Sequence, residues 1–173
     1  MASYYYLIAG LPMLRADGEI PFGYEEFLSQ CASAVDEETY DKLASLTLAS
    51  DEGPLLSDWA VFYRQFAEEL AYQRLVRMGR PAEVPAERDA DAIKAVTAAI
   101  AAKNPLEAEE ILLELQFEKL DELVSLHFFD ETVLFGYALK LRLLERKAAF
   151  DKAAGRAEFD RLFRTVQEQV LKA

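Results

Sequence analysis

The sequence predicts an all-α protein that forms a single bundle-like domain of six or seven helices over residues 1–173. The chain contains only 7 Gly and 6 Pro, so helix-breaking residues are few. Ala, Leu and Glu are abundant, and these residues lose little side-chain freedom in a helix. Apolar residues recur at helical spacing along most of the chain, which is typical of helices that bury one face. Short connections between such helices favour antiparallel packing in a bundle.

The chain opens on an apolar and aromatic segment, residues 4–11, which ends at Pro12. Its consecutive tyrosines suit a β-strand, but no partner strand is evident elsewhere in the sequence. Two conformations therefore stay open for this segment, a short helix and a buried extended plug.

Two short helices are predicted next. The first runs from about Pro21 to Ala34, and its apolar positions at helical spacing are Tyr24, Phe27, Leu28 and Cys31. Asp36 is the predicted N-cap of the second helix, because its carboxylate can accept a hydrogen bond from a free N–H of the first turn. Leu43 and Leu46 carry the apolar side of this second helix.

A long helix over about residues 57–78 follows a break at residues 49–56. Ser57 is its predicted N-cap, and Gly79 and Pro81 are expected to end it. The apolar positions of this helix are largely aromatic: Trp59, Phe62, Tyr63, Phe66 and Leu70. We call this set the aromatic stripe and interpret it as part of the core, because its spacing places all five side chains on one face.

Three arginines, Arg74, Arg77 and Arg80, lie at the end of this long helix. Cationic side chains stabilise the negative end of a helix dipole, so their position is explained without a bound anion. Residues 79–86 are rich in Pro and Gly and are predicted to form a linker. This linker is also the candidate hinge of the domain.

Asn104 and Pro105 separate the next two helices. The first is Ala-rich and covers about residues 87–103, and the residues expected to face inwards are Ile93, Val96 and Ile100. Asn104 as N-cap and Pro105 as first helical residue predict the start of a second, acidic helix. This helix runs to roughly Leu126.

Two further helices are predicted in the C-terminal part of the chain. Asp130 is the expected N-cap of a helix over about residues 130–148, and its broad apolar face comprises Val133, Leu134, Tyr137, Ala138, Leu141 and Leu144. A last helix begins near Asp151 or Arg156. Its apolar residues are Phe159, Leu162, Phe163, Val166 and Val170.

Composition excludes several classes of function. The formal net charge is −12, which argues against nucleic acid as a partner and against binding to anionic membrane surfaces. No apolar run is long enough to cross a bilayer, so no direct membrane insertion is expected. The N-terminus lacks the features of a signal peptide, and a single cysteine excludes an internal disulfide. We therefore expect a cytoplasmic protein, peripheral to a membrane only through a protein complex.

The sequence contains no recognisable catalytic, cofactor-binding or metal-binding motif, so no enzyme activity and no cofactor are expected. His127 is the only histidine, and no Gly-x-Ser-x-Gly or phosphate-binding glycine motif occurs. We expect His127 to contact the last carbonyl groups of the preceding helix, where cations are favoured. Cys31 is expected to be a buried, unreactive thiol.

One helical face between residues 105 and 126 is strongly acidic. Its carboxylates, at spacings of three and four, are Glu107, Glu110, Glu114, Glu118 and Asp121. A di-iron site would use such residues, but it also requires Glu-x-x-His pairs, which are missing. Two interpretations stay open for this acidic face: a solvated surface and a surface that binds a partner protein. Under the second interpretation these five carboxylates are the candidate partner-binding residues.

Four segments together resemble a bacterial family of unknown function that is encoded in vacuolar-type (V-type) ATPase operons. The first is the Tyr-rich run of residues 4–12, which closes on Leu-Pro. The second, residues 21–28, combines Pro-Phe with Glu-Glu-Phe-Leu, and the others are residues 104–109 and 129–146. The resemblance covers nearly the whole chain, and its motifs are structural.

The segment that begins at Phe129 is also similar to the final helix of the V-type ATPase socket protein, which is called the C subunit in bacteria and the d subunit in eukaryotes. This resemblance implies a non-catalytic helical socket that joins the rotor stalk to the membrane ring through protein–protein contacts. Its partners would be central-stalk and membrane-ring subunits. Two other classes stay open: a helical adaptor or regulatory protein unrelated to rotary ATPases, and an enzyme whose site contains only carboxylates and tyrosines.

Overall fold

The computed structural model describes residues 4–149 and Arg161, and this part of the chain is helical with no β-strand, which confirms the all-α prediction. The helices are α1 (Tyr5–Gly10), α2 (Tyr24–Cys31), α3 (Glu37–Ala44), α4 (Pro54–Arg77), α5 (Ala90–Ala101), α6 (Pro105–Val124) and α7 (Glu131–Ala148). The last predicted helix, from near residue 151 or 156, lies outside the described residues.

The N-terminal segment forms the short helix α1 and not an extended plug. Tyr4 precedes this helix and is buried, with only 6% of its surface exposed. Its hydroxyl donates a hydrogen bond to Asp36 Oδ2 (3.1 Å). The start of the chain is thereby attached to the N-terminus of α3.

Three predicted N-caps are confirmed. The side chains of Asp36, Asn104 and Asp130 each accept a hydrogen bond from a backbone N–H in the first turn of α3, α6 and α7. These short polar side chains can reach a free N–H of the first helical turn, so the local sequence is enough to set the start of each helix. Asp89 caps α5 in the same way, so that helix starts at Ala90 and not at residue 87.

The prediction that Ser57 caps α4 is wrong, because the helix begins one turn earlier. Gly53 is the N-cap and has a φ of 111°, a conformation that favours glycine. Pro54 follows as the first helical residue, where its fixed φ suits a helix and its missing N–H is not needed. Leu55 and Leu56 are consequently buried helical residues and do not belong to a loop.

The end of α4 agrees with the prediction. Gly79 has a φ of +66°, and its N–H donates to the carbonyl oxygen of Val76 (3.0 Å). The N–H of Arg80 reaches back to the carbonyl oxygen of Leu75 (3.0 Å). These two hydrogen bonds form a Schellman motif, which satisfies carbonyl groups that a helix end leaves free. The backbone is then irregular as far as Asp89.

Helix α7 lies at the centre of the packing and contacts α2, α3, α4 and α6. Its most deeply buried residues, each at most 2% exposed, are Leu134, Ala138, Leu139, Leu141, Leu143 and Leu144. Gly136 allows α6 to approach closely, because a Cβ atom there would lie 2.6 Å from Cγ1 of Val124. The buried apolar residues of helices α2 to α7 form one continuous cluster.

The aromatic stripe of α4 is part of this core, as predicted. Trp59 is fully buried, Phe62 and Phe66 are nearly so, and Tyr63 is half-buried. The indole N–H of Trp59 donates to the carbonyl oxygen of Leu48 (3.0 Å), so burial of the ring leaves no unpaired donor.

The inward face of α5 is shifted relative to the prediction. Val96 is fully buried as expected, but Ile100 is only half-buried, and Ala92 and Ala99 are buried on the same helix. Small side chains at these positions let α5 pack closely against α4 and α6.

Helix α2 receives its N-terminal cap from α7. Its N-cap residue is Gly23, which has no side chain to accept a hydrogen bond. Instead Oε1 of Glu145 accepts a hydrogen bond from the N–H of Tyr24 (2.7 Å). Arg142, one turn earlier on α7, places its guanidinium 3.4 Å from the centre of the Tyr24 ring. This cation–π contact and the cap together fix α2 against α7.

Candidate protein-binding site

The N-terminal segment and the α6–α7 connection meet in space. The N–H of Tyr4 donates to the carbonyl oxygen of Phe129 (2.7 Å). The ring of Tyr5 packs edge-on against the ring of Phe129, with 4.6 Å between the centres. Tyr6 continues the contact, with its ring 5.4 Å from that of Tyr5. The start of the chain and the α6–α7 connection are therefore in direct contact.

This junction presents several large apolar side chains to solvent. The exposed fraction is 91% for Tyr6, 87% for Leu126, 77% for Phe128 and 50% for Tyr5. We call these four residues, with the half-buried Phe129, the aromatic patch. Ring contacts join Tyr5 to Tyr6 and to Phe129, and Leu126 and Phe128 belong to the same connection as Phe129. Exposed aromatic residues are enriched at protein-binding surfaces. The aromatic patch is thus a candidate protein-binding surface.

The backbone of Phe129 is in the left-handed region, with a φ of 56°. A bulky side chain rarely adopts this conformation, and strain of this kind often occurs at functional sites. The contacts with Tyr4 and Tyr5 hold the residue in place. This conformation changes the direction of the backbone between Phe128 and the start of α7.

Tyr4, which precedes the patch residues Tyr5 and Tyr6, is held against the start of α3. Besides its bond to Asp36, the hydroxyl of Tyr4 lies 3.4 Å from Oγ1 of Thr39, which is itself buried. Burial raises the pKa of Tyr4, so its hydroxyl stays protonated and can donate. The N–H of Thr39 lowers the pKa of Asp36, so this carboxylate is charged near neutral pH. When the segment that carries a binding surface is already held in place, less conformational entropy is lost on binding.

The acidic face of α6 ends at Asp121, close in sequence to Leu126 of the patch. The five predicted carboxylates are all exposed and lie on one side of the helix: Glu107, Glu110, Glu114, Glu118 and Asp121. Glu107 accepts a hydrogen bond from the N–H of Lys103, and Asp121 pairs with Lys140 at 2.5 Å. The other three carboxylates have no ion-pair partner within the described part of the chain. Their charge is available to orient a basic partner.

His127 does not contact the carbonyl groups of α6, so that prediction is wrong for its side chain. Its Nδ1 lies 2.7 Å from Oδ2 of Asp130, the residue that caps α7. Only the backbone N–H of His127 bonds to a carbonyl group, that of Val124 (2.9 Å). The cause is the short connection between the helices, which places the capping carboxylate within reach of the ring. His127 is therefore a structural residue of this connection.

Cys31 is fully buried in the core, as predicted. Burial raises the pKa of its thiol to about 11. The thiolate is the nucleophilic form of cysteine, so this residue is unreactive at neutral pH.

Besides Thr39, two buried polar residues of the described chain were not predicted from the sequence. Glu69 is 1% exposed and forms a bidentate ion pair with Arg88 at 2.7 and 2.8 Å. The burial of Glu69 could have been predicted from the sequence, because it follows Phe62 and Phe66 at the spacing of the buried face of α4. Gln116 is fully buried, and its amide has no hydrogen-bond partner among the described residues. Neither group belongs to the aromatic patch.

Within residues 4–149, no helix is both long enough and apolar enough to cross a bilayer. In the same residues, no three His, Cys, Asp or Glu side chains are grouped so that they could hold a metal ion.

Comparison of the chain with models of protein families, with curated proteins and with solved structures found no match. The resemblance to the V-type ATPase operon family and to the socket protein therefore stays a prediction.

Proposed function

We propose that this protein is a non-catalytic, socket-like component or accessory protein of a bacterial V-type ATPase, similar in role to its C subunit, and that it links the rotor stalk to the membrane ring. The observation that supports this most directly is the contact between residues 4–6 and Phe129. Each of these segments resembles the V-type ATPase operon family, and the aromatic patch forms where they meet.

The patch supplies the affinity in this proposal. Large aromatic side chains dominate the binding energy of protein interfaces when they become buried. Tyr6 and Phe128 are the two most exposed aromatic residues of the described chain. Their burial against a stalk or ring subunit would remove more apolar surface from water than any other pair of aromatic residues on this surface.

The acidic face supplies orientation in this proposal. Unpaired surface carboxylates attract a basic partner and raise the association rate, whereas they add less to the affinity of the finished complex. Raising the salt concentration should therefore slow association more than it speeds dissociation. Association kinetics with the purified partner would measure both rates.

The test is affinity purification of the tagged protein from its native cell. The wild-type protein should enrich stalk or ring subunits of a rotary ATPase, and the Tyr6→Ser/Phe128→Ser variant should lose them. Val84→Ser is a matched control, because Val84 is 59% exposed and lies in the linker, outside the patch. It should retain the same partners as the wild type.

Two outcomes would separate the competing functions. If the wild type enriches no rotary ATPase subunit, the socket proposal fails. If another protein is enriched and is lost from the Tyr6→Ser/Phe128→Ser variant, the helical adaptor takes its place.

A further inference from the structure

A surface groove runs along α4, beside α5, α6 and the end of α7. It has two adjoining sections with volumes of about 380 and 310 Å³. Leu70, Arg74, Glu109 and Leu112 line both sections. Because they share these residues, the two sections form one continuous groove.

The dimensions of the groove suit a helix. Along α4 and its C-cap residue, the lining extends from Tyr63 to Met78, which corresponds to about 22 Å at the helical rise per residue. This length matches an occupying helix of about four turns. The floor also contains small residues that let another backbone approach: Ala67, Ala71, Ala99 and Ala108.

The groove is basic although the protein is acidic. Arg74 and Arg77 line it from α4 and Arg146 lines it from α7, against one lining carboxylate, Glu109. The whole chain has a formal net charge of −12. The helix dipole accounts for each arginine at the end of its own helix, but it does not account for their meeting at one groove.

The three arginines differ in their side-chain hydrogen bonds. Arg77 donates to the carbonyl oxygen of Ile100, and Arg146 donates to the hydroxyl of Tyr63 at 3.3 Å. Neither of these partners carries a negative charge. Arg74 has no side-chain hydrogen bond or ion pair to other residues of the described chain, and it is exposed. No carboxylate of the described residues occupies its guanidinium, so it can pair with a carboxylate of a partner.

We propose that this groove binds an acidic amphipathic helix of a partner protein. The apolar face of that helix packs on Leu70, Leu112 and the alanine floor, and its carboxylates pair with Arg74 and the other two arginines. This mode of recognition uses apolar anchors at helical spacing. The groove shares no residue with the aromatic patch, so the proposal goes beyond the function proposed above and does not depend on it.

The test compares two labelled peptides of about 16 residues, the length that spans the groove at the helical rise per residue, with identical leucines at helical spacing. The polar positions of one peptide are Glu and those of the other are Lys. By fluorescence anisotropy with the full-length protein at low salt, the acidic peptide should bind at least about tenfold more tightly. Arg74→Glu should remove this preference, and Ala71→Glu should abolish binding of the acidic peptide.

The control variant is Arg64→Glu, which changes the same charge on the exposed side of α4 outside the groove. It should retain the preference for the acidic peptide. Arg74 and Ala71 are exposed, so all three variants should unfold at the same denaturant concentration as the wild type. That measurement separates loss of binding from loss of folding.

Any of four results would overturn the proposal. Three of them are equal affinities for the two peptides, no binding of the acidic peptide, and an Arg74→Glu variant that binds as the wild type does. A fourth is a disulfide that forms within one molecule of the Ala71→Cys/Leu162→Cys variant, since the chain's own C-terminal segment would then occupy the groove. The buried Cys31 should not interfere with that cross-link.

Discussion

The aromatic stripe of α4 and the aromatic patch contain similar side chains in opposite environments. In the stripe, Trp59 is fully buried, and Phe62 and Phe66 are 3% and 5% exposed. In the patch, Tyr6 and Phe128 are 91% and 77% exposed. The stripe belongs to a long regular helix, whereas the patch belongs to a short helix and a connection.

The difference shows what each region contributes. Burying a large apolar side chain stabilises a fold by about 1.5–3 kcal/mol, and the stripe realises this stabilisation within the monomer. The patch does not, so its apolar surface can contribute only when a partner covers it. The stripe thereby stabilises the fold, whereas the patch stays available for the binding proposed above.

The largest expected effect comes from a charge in the buried region. Leu141 is fully buried on α7, so Leu141→Asp should unfold the protein. An unpaired buried charge costs several kcal/mol, out of a total stability of about 5–15 kcal/mol. Tyr137→Asp, on the same helix, should act in the same direction. Circular dichroism during urea unfolding measures the effect.

Two controls complete this prediction. Phe128→Asp places the same charge in the patch, and Glu114→Ala removes a charge from the acidic face; both should leave the protein folded. If Leu141→Asp unfolds at the same urea concentration as Phe128→Asp, the distinction between the two regions is wrong.

The next effect concerns the buried ion pair. Glu69→Gln should destabilise the fold by about 2 kcal/mol at neutral pH, less than for a fully buried pair because Arg88 is partly exposed. Hydrogen bonds from Arg88 lower the pKa of Glu69, so its stabilising contribution is complete above the ordinary glutamate pKa. It is lost as the pH falls through the lowered pKa of the folded state.

Urea unfolding between pH 3 and pH 7 tests this pH dependence. The stability difference between the wild type and Glu69→Gln should shrink as the pH falls below about 4.5. A difference that is constant over this range would show that the pair contributes no charge-dependent stability.

A smaller effect, with the opposite sign, is expected at Gln116. Gln116→Leu should stabilise the protein by about 1–2 kcal/mol, because a buried amide without partners is replaced by an apolar side chain of similar size. Gln30→Leu, at an exposed position of α2, is the control and should change little. Thermal unfolding with a midpoint below that of the wild type would contradict the prediction.

The smallest effect on stability is expected in the aromatic patch. Tyr6→Ser/Phe128→Ser should change the free energy of unfolding by no more than about 0.5 kcal/mol, as is usual for surface positions. A loss of several kcal/mol would show that the patch is part of the core in solution. The same variant is the one expected to lose its protein partners.

Much of the fold was predictable because its signals are local. Asp36, Asn104 and Asp130 cap helices within three residues of their own positions, and the apolar periodicity of α4 and α7 is present in the sequence itself. The start of α4 was missed because Gly53 and Pro54 were interpreted as a break. Together they are a helix-start signal, which a rule based on polar capping residues does not detect.

The candidate site was less predictable. The acidic face follows from helical spacing alone, so the sequence was enough to place its five carboxylates on one side of α6; their role in binding stays a prediction. The patch depends on the contact between Tyr5 and Phe129, which no local pattern indicates. Apolar residues such as Tyr6 and Phe128 are assigned to the core by default, so their exposure becomes evident only in the folded structure.

The cap that Glu145 supplies to Tyr24 has a consequence for synthesis of the chain on the ribosome. These residues are 121 positions apart, so α2 emerges long before the carboxylate that caps it. At cellular rates of translation this interval is on the order of ten seconds. During this time Phe27 and the rest of the apolar face of α2 lack the α7 surface that covers them. The nascent chain therefore keeps this apolar face of α2 uncovered until α7 is complete.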